Sequence, residues 1–272
     1  MKNLHFVSGF PRSGSTLLCN LLNMNPEFHA TPTSPTIDMV MQMRKVFSHN
    51  PSYKNVDRLE EADRFKAGVR AYLQAYYQDK SVVFDKNRGW VNKLPIVDRL
   101  MENDESKVIF CYRNPVEVFQ SIESQYQKTI MMENSDEMNN ELAFTTLYNR
   151  VETFVGQNFT LMSTPVALLE DALTQGHGSR ILIVRYDRLC SEPQKTLNMI
   201  HEFVGEETFS YDFSQLKQTT FENDAAYNYK FLHSIREGEV RYSPTTINLP
   251  KEAIDRIEKR FEWITKRVEN IK

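Results

Sequence analysis

The feature that most constrains this chain lies in its first two dozen residues. A short apolar run, Leu4–Val7, leads into Gly9-Phe10-Pro11-Arg12-Ser13-Gly14-Ser15-Thr16, and a stretch of helical spacing, Thr16–Met24, follows. Strand, glycine-bearing turn and helix in that order give the frame of a Walker A loop, GxxxxGK[ST]. Here Ser15 stands where that loop has its lysine, and Arg12 sits inside the turn. The glycines let the backbone curl so that successive N–H groups face one anion, and the helix start adds the positive end of its dipole. Ser13, Ser15 and Thr16 add hydroxyl donors, and Arg12 adds a forked charge. The loop therefore reads as an anion site rather than a plain corner capped by Thr16. Without the lysine that spans the β- and γ-phosphates it suits a triphosphate poorly. It suits one phosphate joined to a less charged neighbour.

The rest of the chain supplies a frame for that loop. Three further apolar runs, Val82–Phe84, Val108–Cys111 and Ile181–Val184, are short and rich in β-branched residues, as strands covered on both faces are. Helical periodicity marks Arg58–Tyr77, Val91–Met101, Val116–Tyr126, Leu142–Phe154 and Thr196–Val204. It also marks Lys251–Asn270, where Ile254, Ile257, Phe261 and Ile264 share a face. Alternating strands and helices predict an α/β fold, a central parallel sheet flanked by helices. Ligands in such sheets bind beyond the carboxyl ends of the strands. With no internal repeat and no low-complexity linker, residues 1–272 are expected to form a single domain, with the 251–270 helix packed on it.

Charge narrows the ligand. The 33 Lys and Arg against 36 Asp and Glu give a net charge of −3, which lacks the basic excess of nucleic-acid binders. A local basic pocket for a small anion fits that balance. The 3 cysteines, Cys19, Cys111 and Cys190, show no metal spacing and are expected to be buried reduced thiols. No apolar run approaches the roughly 18 residues that span a membrane, and the start lacks the apolar core of a signal peptide. The expectation is a soluble cytoplasmic protein with no nucleic-acid or membrane partner and no metal. Its oligomeric state is left open.

The strand ends carry the remaining chemistry. Tyr112-Arg113-Asn114-Pro115 follows the third run and opens a helix bearing Ser121. A nucleoside triphosphatase would place an acid near this strand end. Here Arg113, with Ser121 two turns along, suits a second phosphate. Asp85-Lys86-Asn87-Arg88-Gly89-Trp90 follows the second run and faces the same crevice. Asp85 imitates a Walker B position and is read as structural, paired to a nearby Lys or Arg.

These segments resemble the sulfotransferases. Phe10–Leu18 is similar to their 5′-phosphosulfate loop, and Tyr112–Ser121 to their 3′-phosphate motif. Val184-Arg185-Tyr186-Asp187-Arg188-Leu189 resembles their Tyr-Glu-Asp-Leu segment, in which the tyrosine approaches adenine. Asn25–His29, Phe84–Trp90 and Leu232–Arg236 resemble stretches of bacterial and phage-type members. The likeness runs over roughly residues 4 to 240 and implies a three-layer, P-loop-like sulfotransferase fold. It implies 3′-phosphoadenosine 5′-phosphosulfate (PAPS) as donor and 3′-phosphoadenosine 5′-phosphate (PAP) as product. Pro11, Arg12, Ser13, Gly14, Ser15 and Thr16 would then hold the 5′-phosphosulfate. Arg113, Ser121 and Arg236 would hold the 3′-phosphate, with Tyr186 beside adenine. Lys86 would touch the transferring group.

A sulfuryl group carries less charge than a phosphoryl group, so fixed cations and N–H groups can stand in for Mg²⁺. Arg12 is expected to stabilise the bridging oxygen as the acceptor attacks in line. A base must take the acceptor's proton. Tyrosylprotein sulfotransferases carry a glutamate after the first helix, but Thr31–Asp38 contains none, which speaks against a protein tyrosine as acceptor. The candidates are His233, Asp38 and His29. His233 ranks first because it lies in the late segment and imidazole titrates in the useful range. The acceptor, a small molecule or a peptide, is expected against residues 31–50 and 125–145. Met39, Met41, Met43, Met131, Met132 and Met138 gather there with Tyr126, and 133–141 reads as a lid or loop. The alternatives are a P-loop nucleoside or small-molecule kinase and a non-catalytic nucleotide-binding scaffold.

Overall fold

The computed structural model describes residues 3–56, 58–78, 80–130, 146–157, 160–222 and 234–269. Its centre is a parallel sheet of strands β1 (Asn3–Gly9), β2 (Phe28–Thr33), β3 (Val82–Lys86), β4 (Val108–Tyr112) and β5 (Ile181–Arg185). They lie in the order β2-β3-β1-β4-β5. From β1 the chain moves towards one edge through β2 and β3, then crosses to β4 and the other edge. The order therefore reverses between β1 and β4, where a crevice opens beyond the strand ends. Val7 of β1 lies beside Lys86 of β3, and Gly9 lies beside Cys111 of β4.

Both faces of the sheet are buried, which is why its strands read as continuous apolar runs. Successive residues serve opposite cores: Phe6, Val83 and Phe110 face one, and Val7, Phe84 and Ile109 the other. The second core is covered by α1 (Ser15–Leu22) and by the helix Pro193–Val204, through Leu18, Leu21, Leu197 and Ile200. The first is covered by α2 (Thr36–His49) and α4 (Arg58–Tyr76), which the short α3 (Pro51–Lys54) joins, and by α5 (Leu94–Met101) and α6 (Pro115–Ile130). It is completed by α7 (Leu147–Val155), α8 (Thr160–Thr174) and the last helix. The chain passes from β5 into α9 (Tyr186–Ser191) and α10 (Pro193–Val204), and ends in α11 (Lys251–Glu269).

Four strands and the periodic helices fall where the sequence places them. The differences have local causes. The expected helix Val91–Met101 is a 3-10 turn over Arg88–Asn92 and then α5, because Pro95 in the first turn of α5 favours a fresh helix start. Of Leu142–Phe154, residues 142–145 lie outside the described residues and the helix runs Leu147–Val155. Strand β2 and helix α2 carry no clear periodic signal. The strand contains Pro32, which an edge position tolerates, and Thr-Pro-Thr-Ser-Pro reads as a loop before the helix. In α11, Ile257, Phe261 and Ile264 are buried on the face the sequence assigned to the core, while Ile254 is partly buried. Phe261 meets Phe154 of α7 edge-on at 5.7 Å, and Phe154 meets Phe119 of α6 at 5.2 Å. Phe261→Ala should lower the unfolding free energy by about 3–5 kcal/mol, read from denaturant titration.

Candidate active site

The loop after β1 is shaped by close approaches. Gly9 has φ 144°, and a Cβ there would fall 2.3 Å from the Cys111 carbonyl oxygen, so β1 can turn this close to β4 only as glycine. Phe10 N–H donates to that same carbonyl at 3.0 Å. Ser13 Oγ donates to the Phe10 carbonyl at 2.7 Å and closes the loop from within. Its hydroxyl shapes the turn, which leaves its N–H as its contribution to an anion. Arg12 takes the left-handed conformation, φ 57°, at a cost of about 1–2 kcal/mol. The guanidinium reaches α6, where Nε donates to Ser121 Oγ at 3.1 Å. Gly14 caps α1 at φ 84°, and a Cβ there would lie 2.5 Å from the Tyr186 ring.

Arg113 follows β4 and is 7% exposed. Its Nε donates to Glu117 Oε2 at 3.0 Å and its Nη1 to the Arg12 carbonyl at 3.1 Å. Its Cζ stands 4.5 Å from the Tyr186 ring centre. Glu117 also accepts from the Tyr242 hydroxyl at 2.5 Å, and the Tyr242 ring lies 5.9 Å from that of Tyr186. Arg113 Nη2 is buried without a hydrogen-bond partner. A buried charged donor left unmade costs about 1–3 kcal/mol or more, and an arriving anion removes that cost.

Lys86 ends β3 and is 8% exposed. Its Nζ donates to Thr16 Oγ1 at 3.1 Å and forms an ion pair with Glu222. The preceding residue, Asp85, points to the other face of the sheet, as strand alternation requires. It accepts from Tyr77 Oη at 2.7 Å and from Trp90 Nε1 at 2.5 Å. The Lys or Arg partner expected for Asp85 is therefore replaced by a phenol and an indole. Burial pushes this carboxyl above its usual range, against bonds from Ser34, Tyr77, Trp90 and Thr36 that favour the charged form.

A cavity of about 980 Å³ opens at the β1/β4 switch point. Arg12, Ser13, Gly14, Ser15 and Thr16 form its floor, and Lys86, Arg113, Ser121, Tyr186 and Arg236 its walls. Pro11 is buried and does not line it. Arg236 donates from Nη2 to Ser243 Oγ at 3.3 Å. Among the proton-acceptor candidates, Asp38 is exposed in the first turn of α2 and His29 sits on β2, neither lining the cavity. Burial and Lys80 push His29 below its ordinary value. His233 lies outside the described residues, as do Met131, Met132, Met138 and the 133–141 stretch. Of the expected acceptor region, Thr33 and Gln125 line the cavity, while Met41 and Met43 pack on the core and Met39 is exposed. Sequence reasoning missed Glu222, Arg88 and Arg241. Arg88 stands inside a stretch already singled out, but Glu222 lies in irregular chain with no motif around it.

The three cysteines are buried free thiols, and burial pushes Cys19 up to about 12 and Cys190 up to about 11. Among the described residues no cluster of three or more His, Cys, Asp or Glu could hold a metal ion. No helix among them is long and apolar enough to cross a membrane.

A glycine loop after β1, with an arginine at the end of the neighbouring strand β4, is the setting of the site. The chain belongs to the sulfotransferase family, whose sequence model matches residues 5–210, and it is an enzyme that transfers a sulfuryl group. No curated protein matches the sequence significantly. Among solved structures, the fold is similar to the sulfotransferase domain from the curacin biosynthetic pathway. That match has a TM-score of 0.59 and 19% identity, over 97% of this chain and 98% of that one. It is similar to the sulfotransferase domain of the Synechococcus PCC 7002 olefin synthase, with TM-score 0.52 and 19% identity over 97% and 94% of the chains. It also matches mouse sulfotransferase SULT7A1, solved in complex with PAP, with TM-score 0.52 and 12% identity over 98% and 85%. The kinase alternative is not favoured. Asp85→Ala strands the Tyr77 and Trp90 donors behind the site and should cost about 2–4 kcal/mol, measured by thermal or denaturant unfolding.

Proposed function

We propose that this sulfotransferase draws its sulfuryl group from PAPS and passes it to a hydroxyl or amine of a small-molecule or peptide acceptor, releasing PAP. The observation that carries this reading is the pair of cationic seats in one cavity. One is the loop after β1 with Arg12 and Lys86. The other is Arg113, with its buried, unpartnered Nη2. A 3′,5′-bisphosphorylated nucleoside carries anions at two such positions. Gly14, with no Cβ, lets the Tyr186 ring pack directly against the loop, on the side of the cavity where Arg113 stands.

In this reading the N–H groups of residues 13–16 and the Thr16 hydroxyl hold the 5′-phosphosulfate. Arg113, Ser121 and Arg236 hold the 3′-phosphate, and Tyr186 lies along the adenine. Glu117 fixes the Arg113 fork through Nε. The acceptor attacks sulfur opposite the bridging oxygen, and the S–O bond to the 5′-phosphate breaks. Arg12 offsets the charge that gathers on that oxygen, and Lys86 the charge on the sulfuryl oxygens. Fixed cations supply what a metal supplies in phosphoryl transfer. We take the 272 residues to act as one domain. Three buried free thiols suit a reducing compartment such as the cytoplasm.

Calorimetric titration with PAP and with ATP-Mg tests the donor. PAP should bind and ATP-Mg should bind far more weakly; the reverse order would overturn the assignment. Arg113→Ala should weaken PAP by roughly 30- to 1000-fold, about 2–4 kcal/mol. A screen of acceptors with labelled PAPS, read by mass spectrometry, identifies the acceptor. In that assay Arg12→Ala should abolish transfer while changing stability by no more than about 1 kcal/mol.

A further inference from the structure

Glu222 is a carboxylate inside a cavity lined for anions, which is a costly place for one. Its position is nonetheless built. The segment that ends in it runs along α1 and is pinned by Asn20, which is 1% exposed. Asn20 Oδ1 accepts from the N–H groups of Thr219 at 2.5 Å and Thr220 at 3.0 Å. Its Nδ2 donates to Thr220 Oγ1 and to the Thr16 carbonyl, both at 2.8 Å. Asn23, a turn further, donates to Thr219 Oγ1 at 3.1 Å. The helix that begins at the anion loop thus also carries the chain that delivers Glu222.

The carboxylate meets groups from three elements. Oε1 pairs with Lys86 at the end of β3 and accepts from Thr16 Oγ1 at the start of α1, at 3.4 Å. Oε2 accepts from Thr33 Oγ1 at the end of β2, at 3.0 Å. Lys86 and Thr16 are the groups assigned above to the sulfuryl end of the donor. Thr33 lies on the side away from Arg113. Among the described residues, the titratable groups that feel the pair include Asp85 behind Lys86 and the buried thiols of Cys19 on α1 and Cys111 on β4.

We infer that Glu222 is the catalytic proton acceptor of this enzyme. The inference rests on the PAPS reading. The donor's sulfuryl group competes with Glu222 for Lys86 and Thr16, which leaves the carboxylate beside the sulfur and next to Thr33. The acceptor's O–H or N–H proton passes to Glu222, and its freed electron pair forms the bond to sulfur. The bond from sulfur to the bridging oxygen breaks, and that pair stays on the 5′-phosphate of PAP. Glu222 ends as a neutral acid and later releases its proton to water.

Two measurements on Glu222→Gln test this. The first is single-turnover conversion of radiolabelled PAPS to PAP and sulfate, with water as the acceptor, between about pH 5 and pH 9. The wild-type rate should rise with pH along an acid limb. The variant should be slower by about 10²- to 10⁴-fold and lack that limb. The second is equilibrium binding of PAP and PAPS. Glutamine removes a like charge from beside the sulfuryl group, so PAPS affinity should improve by roughly 5-fold relative to PAP. A variant that turns over at the wild-type rate with the same limb, or that keeps the wild-type PAPS-to-PAP preference, overturns the role of Glu222 alone. A wild-type protein that binds neither nucleotide overturns the donor assignment, and this inference with it.

Discussion

Three cations held at the ends of three neighbouring parallel strands set the terms for the rest of this molecule. Arg12 and Arg113 follow β1 and β4, Lys86 ends β3, and the strand spacing of about 5 Å sets how near they come. Like charges at such distances repel, so the site exists only because the surroundings offset them. Glu117 and the Arg12 carbonyl hold Arg113, Ser121 holds Arg12, and Thr16 with Glu222 holds Lys86. The arrangement also needs β1 to turn beside β4 without a side chain, which is what Gly9 allows.

Two glutamates beside these cations do different work. Glu117 stands in the first turn of α6, just after Arg113, and the Tyr242 hydroxyl donates to its second oxygen. It orients a fork whose remaining Nη2 is left for a ligand. Glu222 comes from far along the chain and pairs with Lys86 at the end of β3. Electrostatic offset is common to both. Place separates them: Glu222 lines the cavity and Glu117 does not.

Much of this was legible before any fold was known. The loop Gly9–Thr16, the Arg113-Asn114-Pro115 corner with Ser121, and Tyr186 are local signals, because strand, turn and helix must be contiguous to make an anion cradle. Four strands were legible for the same reason that the sheet is stable: both faces are buried, so apolar residues run on without alternation. Strand β2 was not, since an edge strand can carry Pro32 and polar residues. Helix α2 was hidden by its proline-rich entry. The methionines of 39–43 suggested a ligand wall and turned out to face the core or the solvent, because composition does not say which side of a helix meets which neighbour. Asp85 was recognised as structural, but its partners Tyr77 and Trp90 depend on how α4 and the 3-10 turn fold over β3.

The sequence by itself determined the chemistry at the strand ends. It carries an arginine-bearing glycine loop without the Walker lysine, an arginine where a triphosphatase has an acid, and a lysine after the second apolar run. Those are properties of contiguous residues, and contiguous residues are what a sequence displays. Only the tertiary structure decided how these pieces meet. It set Arg113 Nη2 in a buried place without a partner, gave Lys86 a carboxylate as its neighbour, and brought Glu222 to the loop through Asn20, 200 residues away from Thr220 along the chain. Such pairings depend on packing between distant segments, and no local pattern of residues encodes them.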